Sequence, residues 1–301
     1  VAESKKNSSI SVILPAYNEA DSLKNEVEKI RTALQNGSIP FEFIVIDDGS
    51  TDDTYKIAQT LGVKIIRHPK NRGVGAARKS GILASQNEMI LTSDADGTYP
   101  SAPIPKMIQT FLNEDCDMVV GARVKESGTV QWIRLPAKFL IRKLASYLVR
   151  ERIPDLNSGL RVFKKSVALK YFYLLPDSHS WESTITIAFL SNHAKVQFIP
   201  IDYFKRTGGK SSFDPIRDTY NYLSLVIRTV MYFNPLRIFL PLTGFVFFIG
   251  ITKILYDWII YRNIGGLDVT IMLTAILILI AGLLADLMVV LHKKSDPPTT
   301  S

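Results

Sequence analysis

Two carboxylates one residue apart close an apolar run. Met89-Ile90-Leu91-Thr92-Ser93 ends in Asp94-Ala95-Asp96-Gly97. The run reads as a buried strand, and in an open α/β sheet ligands sit beyond the carboxyl ends of the strands. Asp94 and Asp96 delivered to that edge, together with phosphate oxygens of a substrate, form the ligand set that usually holds Mg2+ or Mn2+. A lone Asp-x-Asp before glycine is more often an acidic turn. Against that stands a second strand with the same ending, Phe41 to Ile46, closed by Asp47-Asp48-Gly49-Ser50. Two acidic strand ends in one α/β half are hard to explain as turns.

The elements that must position these groups follow from periodicity. Ile10 to Pro15 is a β-branched apolar run, hence a strand, with Pro15-Ala16-Tyr17-Asn18-Glu19 as the loop at its carboxyl end. Ala20 to Leu34 places Leu23, Val27, Ile30 and Leu34 on one helix face. Ser50 or Thr51 is expected to cap the next helix, with Asp52 and Asp53 in its first turn. Val63 to Arg67 is a third strand. Asn71-Arg72-Gly73-Val74-Gly75-Ala76-Ala77-Arg78 opens a helix; the third glycine of a dinucleotide fingerprint is replaced by Arg78, and the segment does not follow the first strand, so that reading is rejected. Either the helix start meets phosphates, with Arg78 available, or Gly73 and Gly75 serve close packing. Ile104 to Asn113 is a helix, and Met118 to Val120 a strand before Gly121-Ala122-Arg123. Four successive strand–helix units imply a mostly parallel sheet with helices on both faces. Beyond Arg123 the pattern is less regular. Asp155-Leu156-Asn157-Ser158-Gly159-Leu160-Arg161 reads as a polar turn between helices, a helix begins near Trp181-Glu182, and Val196 to Ile201 is a late strand. Gly209-Lys210-Ser211 is no P-loop, because the position that would need glycine is Phe204.

The composition changes along the chain. Of 301 residues 47% are hydrophobic, and the excess lies after Asn234. Leu236 to Tyr261 and Val269 to Leu291 each exceed the ~20 residues that cross a bilayer core. Lys253 and Asp257, one turn apart, can pair or snorkel. Arg228 and Arg237 precede this hairpin, Lys293 and Lys294 follow it, and Arg262 alone lies in the connection. The positive-inside rule then sets both ends, and the domain before them, in the cytosol; in a prokaryote the membrane is the plasma membrane. Asp214 to Phe233 suits an interfacial amphipathic helix. Expected boundaries are a disordered start at 1–9, a catalytic domain at 10–212, juxtamembrane helices at 213–234, the hairpin at 235–292 and a cytosolic tail at 293–301. Formal net charge is +8, read as directed at phosphates of lipids or substrates; no nucleic-acid motif appears, and nucleic acid is not expected as a partner. Cys116 is the only cysteine, so no intrachain disulfide forms. The four histidines show no metal-ligand spacing. Val1 to Ser9 has no apolar core of a secretory signal, and the two sequons, at Asn7 and Asn36, are expected to be silent because the domain that carries them should face the cytosol.

A carboxylate pair, a second acidic strand end, several arginines and a membrane hairpin together suit the transfer of a group from a nucleotide diphosphate donor to a membrane-anchored acceptor. The chain resembles the family 2, GT-A-fold glycosyltransferases, and among them the polyprenyl-phosphate (dolichyl-phosphate) glucose and mannose synthases. The resemblance spans residues 10 to 212. It rests on Pro15-Ala16-Tyr17-Asn18-Glu19, Asp47-Asp48-Gly49-Ser50-Thr51-Asp52, Asn71-Arg72-Gly73, Asp94-Ala95-Asp96, Gly121-Ala122-Arg123, Asn157-Ser158-Gly159-Leu160-Arg161 and the Arg206 to Ser211 stretch, in that order. It implies a GT-A (Rossmann-like) sheet. Pro15, Tyr17, Glu19, Asp47 and Asp48 would bind the nucleotide, with Arg78, Asp94 and Ala95 toward the diphosphate. Asp94 and Asp96 would hold Mg2+ or Mn2+. Arg123, Arg134 or Lys138, Arg206 and Lys210 would sit by the donor or acceptor phosphate, with Ser211 on the acceptor side. Relatives often carry a metal-binding Gln two residues after the second Asp; here that position is Thr98, which leaves the third protein ligand open. Asp96, Arg123 and Asp155 are the catalytic candidates. Asp155 either orients or deprotonates the acceptor, or simply caps its turn.

The implied reaction is metal-dependent inverting transfer of a hexose, UDP-glucose favoured as donor and GDP-mannose next, to a polyprenyl phosphate. An exposed apolar hairpin also makes a homo-oligomer plausible. A processive synthase would want Gln-x-x-Arg-Trp late in the domain; Gln131-Trp132-Ile133-Arg134-Leu135 lacks the final Trp and comes too early. A non-catalytic nucleotide-sugar-binding scaffold is the rival from another class, and the intact acidic pairs argue against it.

Overall fold

Strand β1 (Ile10–Ala16) is buried along its whole length, which demands partners on both edges and layers on both faces. In the computed structural model, which describes residues 9–126, 142–147, 149–178, 180–204, 224, 227–228 and 230–295, both demands are met. β2 (Phe41–Asp47) and β4 (Met89–Thr92) flank β1 in parallel. β3 (Lys64–Arg67) adds to β2. β5 (Met118–Glu126), β6 (Arg161–Lys164) and β7 (Val196–Tyr203) complete a seven-stranded sheet in the order β3-β2-β1-β4-β6-β5-β7. Only β6 runs against its neighbours β4 and β5; β5 and β7 are parallel.

Residues alternate between the two faces, as a strand's period of two requires. Val12 and Leu14 pack toward α1 (Leu23–Asn36) and α4 (Ile104–Asn113), with Ile30, Leu34, Met107 and Ile108. Ile13, Ile44 and Ile46 pack on the other face with Ala77 and Ile82 of α3 (Val74–Ala84), and with Trp181, Ile185 and Phe189 of a helix whose range is Trp181–Ser191. The short helices α2 (Thr54–Thr60) and α5 (Lys165–Lys170) lie between them in the chain, which makes Trp181–Ser191 α6. The mostly parallel sheet covered on both faces is the expected one.

Three local expectations are corrected. The polar turn before Arg161 leads into strand β6 rather than a helix, because β6 finds hydrogen-bonding edges on both β4 and β5. β5 continues through Arg123 to Glu126, since β7 stays paired with it that far. α2 begins at Thr54 with Asp53 at its N-cap; Ser50 instead accepts from the Asn18 amide at 3.0 Å.

The glycines at the start of α3 are there for packing. A Cβ on Gly73 or Gly75 would fall 2.3 or 2.2 Å from the carbonyl oxygens of Asp177 and Pro176. The Asp177 carbonyl accepts from the Gly75 and Ala76 amides at 3.0 and 3.2 Å. It thereby satisfies donors that a helix start otherwise offers to an anion.

The chain divides into two units, Val1–Val226 and Ile227–Ser301. In the second, α7 (Leu236–Tyr261) and α8 (Gly266–Ser295) are both long and apolar enough to cross a membrane. Lys253 pairs with Asp257 at 2.5 Å, as expected, and also reaches Asp268 on α8 at 3.5 Å. Asp268 caps its own helix by accepting from the Gly265 amide at 2.7 Å.

One residue interrupts the apolar face of α1. Glu26 is 1% exposed, and its Oε2 finds no hydrogen-bond partner among the described residues. Burial pushes its carboxyl up from 4.5 to about 7; Asp96 and Asp94 add to the rise and Lys29 opposes it. The folded chain therefore keeps this proton to higher pH than the unfolded chain. The stability it contributes is complete below pH 4.5 and is lost as pH climbs through about 7. Glu26→Gln is expected to leave the melting temperature unchanged near pH 4.5 and raise it at pH 8, by up to about 3 kcal/mol in stability. Thermal unfolding of the detergent-solubilised protein at both pH values checks this, and equal shifts at the two would contradict it.

Candidate active site

Register decides what meets at the carboxyl edge of the sheet. Ala16 lies level with Asp47, Ile13 with Thr92, and Thr92 with Arg161. The loops after β1, β2 and β4 and the segment entering β6 therefore meet there. Asp94 keeps 31% of its side chain exposed, and its Oδ1 accepts from Arg78 Nη2 at 2.6 Å. Gly159 lies against the carboxylate: a Cβ there would come within 2.8 Å of Asp94 Oδ2. Gly159 is fixed from both sides, its amide donating to the Tyr99 hydroxyl at 2.7 Å and its carbonyl accepting from Thr92 Oγ1 at 2.9 Å. Asp96, half-buried, accepts on Oδ1 from the Thr98 amide and hydroxyl at 3.1 and 2.7 Å. Thr98 thus orients Asp96 from the position at which the resemblance leads one to look for a further ligand.

Among the described residues no cluster of three or more His, Cys, Asp or Glu is arranged for a metal. Asp94 and Asp96 alone suit an ion of the Mg2+ type, which takes one or two carboxylates and completes its shell with phosphate and water. Their negative field reaches Glu26 on α1, where it helps to hold a proton. That field is what a cation would neutralise.

Arg78 is fully buried, and its guanidinium bridges Asp94 and Glu182. Burial alone would lower its pKa; the charges of Glu182 and Asp94 outweigh this and raise it. The close packing expected of this helix start is observed, and Arg78 stands behind Asp94. Glu182 went unrecognised as part of this network.

Arg123 and Asp155 form a second charged pair. Asp155 accepts from Arg123 Nε at 2.6 Å, Nη2 at 2.9 Å and its amide at 3.1 Å, and from the Asn157 amide at 3.0 Å. Burial would raise the Asp155 pKa, but the hydrogen bonds and charge of Arg123 hold it below the usual carboxylate range. A carboxylate so engaged is a weak base and a firm anchor. The Arg123 guanidinium lies 5.1 Å from the Tyr203 ring centre, and Tyr203 meets Tyr99 edge-on at 5.2 Å. One aromatic pair thus connects Arg123 to the Gly159 amide behind Asp94. The two tyrosines are further site residues that sequence reasoning missed.

The other end of the edge is a braced set of loops. Asn18, at φ 55°, accepts from the Thr51 amide at 2.8 Å, and the Glu19 amide donates to Thr54 Oγ1 at 2.8 Å. Asp47 is fully buried; it accepts from the Ser50 amide at 3.0 Å and pairs with Arg67 at 3.1 Å. Asp48 is also buried, in contact with His68 Nδ1 at 2.5 Å and accepting from the Arg72 and Gly73 amides. These two carboxylates therefore shape the loops. A cleft of about 460 Å³ beside them is lined by Gly49, Ser50, Thr51, Arg67, His68 and Pro69. Tyr17 is exposed, Glu19 half-buried, and Pro15 and Ala95 buried. Arg67 and His68 were not foreseen here; the signal was their place at the end of a strand parallel to the one ending in Asp47. Arg134, Lys138, Arg206, Lys210 and Ser211 lie outside the described residues.

Comparison with known proteins bears on this geometry. Residues 11–172 match the model of Glycosyl transferase family 2, and residues 234–291 that of the GtrB C-terminal hairpin. The chain is 29% identical over 229 residues to a dolichol-phosphate mannosyltransferase of Pyrococcus furiosus, covering 73% of this chain and 63% of that one. It is 35% identical over 188 residues to a UDP-N-acetylglucosamine–dolichyl-phosphate N-acetylglucosaminyltransferase of Methanococcus voltae, covering 54% and 71%. In fold it resembles glucosyl-3-phosphoglycerate synthase of Mycobacterium tuberculosis, solved with Mn2+ and UDP-glucose, with a TM-score of 0.58 at 20% identity over 76% of this chain and 80% of that one. The family match takes in more than half of the residues and both acidic strand ends, and the chain belongs to glycosyl transferase family 2.

Proposed function

We propose that this protein transfers a hexose from a nucleotide-sugar to a polyprenyl phosphate in the membrane, with inversion at the sugar. The observation that carries the reading is the shared sheet edge where a half-exposed carboxylate pair, Asp94 and Asp96, stands beside an arginine anchored by Asp155. The hairpin and the names of the two sequence relatives support a lipid-phosphate acceptor. The donor favoured is UDP-glucose, then GDP-mannose; the second relative adds UDP-N-acetylglucosamine to the set worth testing.

Asp94 and Asp96 would hold Mg2+ or Mn2+ together with the donor's diphosphate. When bound, the ion supplies charge neutralisation to the departing nucleoside diphosphate. The protein's own part is positional. Tyr17 and the cleft beside Arg67 and His68 take the nucleoside. Arg123, aimed by Asp155 and carried on the Tyr203 ring, holds the acceptor phosphate. That phosphate is an anion near neutral pH, so it needs orientation and desolvation more than a base. Attack by its oxygen on the sugar C1, opposite the leaving diphosphate, inverts the centre. The flanking Arg228, Arg237, Lys293 and Lys294 set the hairpin ends, and with them the catalytic domain, on the cytosolic side.

The first test is transfer of radiolabel from UDP-glucose, GDP-mannose or UDP-N-acetylglucosamine to polyprenyl phosphate in detergent, with Mn2+, Mg2+ or EDTA. Label is expected in the lipid phase with one donor and absent with EDTA. Asp96→Asn is expected to lower kcat/KM by roughly a thousandfold or more in a protein that still melts cooperatively. No lipid product from any donor, or turnover indifferent to EDTA, would overturn the reading.

Asp155→Asn separates anchoring from base catalysis. As an anchor, Asp155 supports acceptor binding, so its loss is expected to raise KM for the lipid phosphate by about tenfold, the scale of one lost charge-assisted hydrogen bond. The pH profile of kcat should keep its shape. Collapse of kcat together with its acidic limb would instead make Asp155 the base.

A further inference from the structure

The network behind Asp94 holds more charge than a single ion pair needs. Arg78 sits on the inner face of α3, and Glu182 in the first turn of α6, 104 residues away in sequence. The guanidinium of Arg78 reaches Asp94 with Nη2 at 2.6 Å and Glu182 with Nη1. Its Cζ lies 5.2 Å from the Trp181 ring centre, and the Arg161 Cζ lies 5.9 Å from the same ring. Among the described residues Arg161, also fully buried, donates to neutral groups: the Ser158 carbonyl, the Glu182 carbonyl at 3.1 Å, Thr186 Oγ1 at 3.0 Å and, more weakly, Met118 Sδ at 3.8 Å. Two buried cations are thus balanced by two carboxylates, of which only Asp94 reaches the open side.

One guanidinium shared by two carboxylates neutralises neither in full. We propose that Glu182 is a positioning residue that competes with Asp94 for Arg78, and so keeps Asp94 both fixed in place and sufficiently anionic to bind a donor-associated divalent cation. This rests on the reading of Asp94 as a ligand of that cation. Without the Glu182 charge, Arg78 is held by Asp94 alone, and a cation must compete with a buried guanidinium for that carboxylate. Close approach in a low-dielectric interior makes this competition strong. When a cation does bind, Arg78 is free to shift its share of charge toward Glu182, at the face of Trp181.

The test is Mn2+ binding in the presence of UDP, measured by titration calorimetry on the full chain in detergent. Glu182→Gln keeps a hydrogen-bond acceptor for Arg78 and removes the charge. It is expected to weaken Mn2+ binding about tenfold. Removing the cation as well, in R78M/E182Q, is expected to recover most of that loss, which a merely structural Glu182 would not do. Wild-type protein that binds Mn2+ while Glu182→Gln binds it equally tightly overturns the proposal. Wild-type protein that does not bind Mn2+ with UDP, or Asp94→Asn that binds it as tightly as wild type, overturns the metal reading beneath it and the proposal with it. A further measurement needs no change at Glu182. With Trp132 and Trp258 replaced by Phe, Mg2+ and UDP together are expected to shift Trp181 emission as Arg78 moves its charge, and an unchanged spectrum counts against the relay.

Discussion

The register of three parallel strands is the constraint on which the site depends. β1 pairs with β2 and β4 in parallel, with Ile10 level with both Phe41 and Met89. All three strands therefore end at the same edge, where β2 closes on Asp47 and β4 on Thr92, just before Asp94. A slip of one residue would invert the face of every side chain on a strand. Here that would turn Ile44 and Ile46 away from α3 and α6 and send Asp47 out of its pairing with Arg67. Packing on both faces thus fixes the chemistry at the edge, and core residues such as Tyr99 and Trp181 reach into it.

That edge concentrates buried charge, and each charge is answered locally. Asp47 has Arg67, Asp48 has His68 and two amides, and Asp155 has Arg123. An unpaired buried ion costs several kcal/mol, so these contacts are conditions for folding as much as features of a site. The exceptions are informative. Asp94 is satisfied on one oxygen and faces outward with the rest of its carboxylate. Glu26, with no partner for one oxygen among the described residues, answers the same field by holding a proton.

What could be read from the residues alone was what is local. β1, β2, β4 and the apolar face of α1 announce themselves by period and by β-branched runs, and the hairpin by composition. The acidic strand ends were visible because a strand's end and its ligand edge coincide. β6 was not visible. It is four residues long, begins at Arg161 and ends at Lys164, and is a strand only because β4 and β5 offer it edges. The role of Gly73 and Gly75 depends on the Pro176–Asp177 backbone, about a hundred residues on, and the role of Arg78 on Glu182 at a similar distance. Such pairings come from topology, and no window along the chain contains them.

Asp155 shows how the two kinds of information combine. In sequence it is an acid next to a polar turn, compatible with a base, an anchor or a cap. In the fold it is an anchor and a cap at once: the same carboxylate accepts from Asn157 to shape the turn and from three donors of Arg123. The Asn157 to Gly159 turn carries the glycine that lies against Asp94, and Arg123 stacks on the tyrosine that meets Tyr99, whose hydroxyl accepts from that glycine's amide. Asp94 and Arg123 are thereby held by one closed ring of contacts. A site built this way fixes two opposite charges relative to one another through neutral and aromatic contacts. A proton acceptor would need a carboxylate less firmly paired than Asp155, whose oxygens are taken by Arg123 and the Asn157 amide and whose pKa is held down by Arg123.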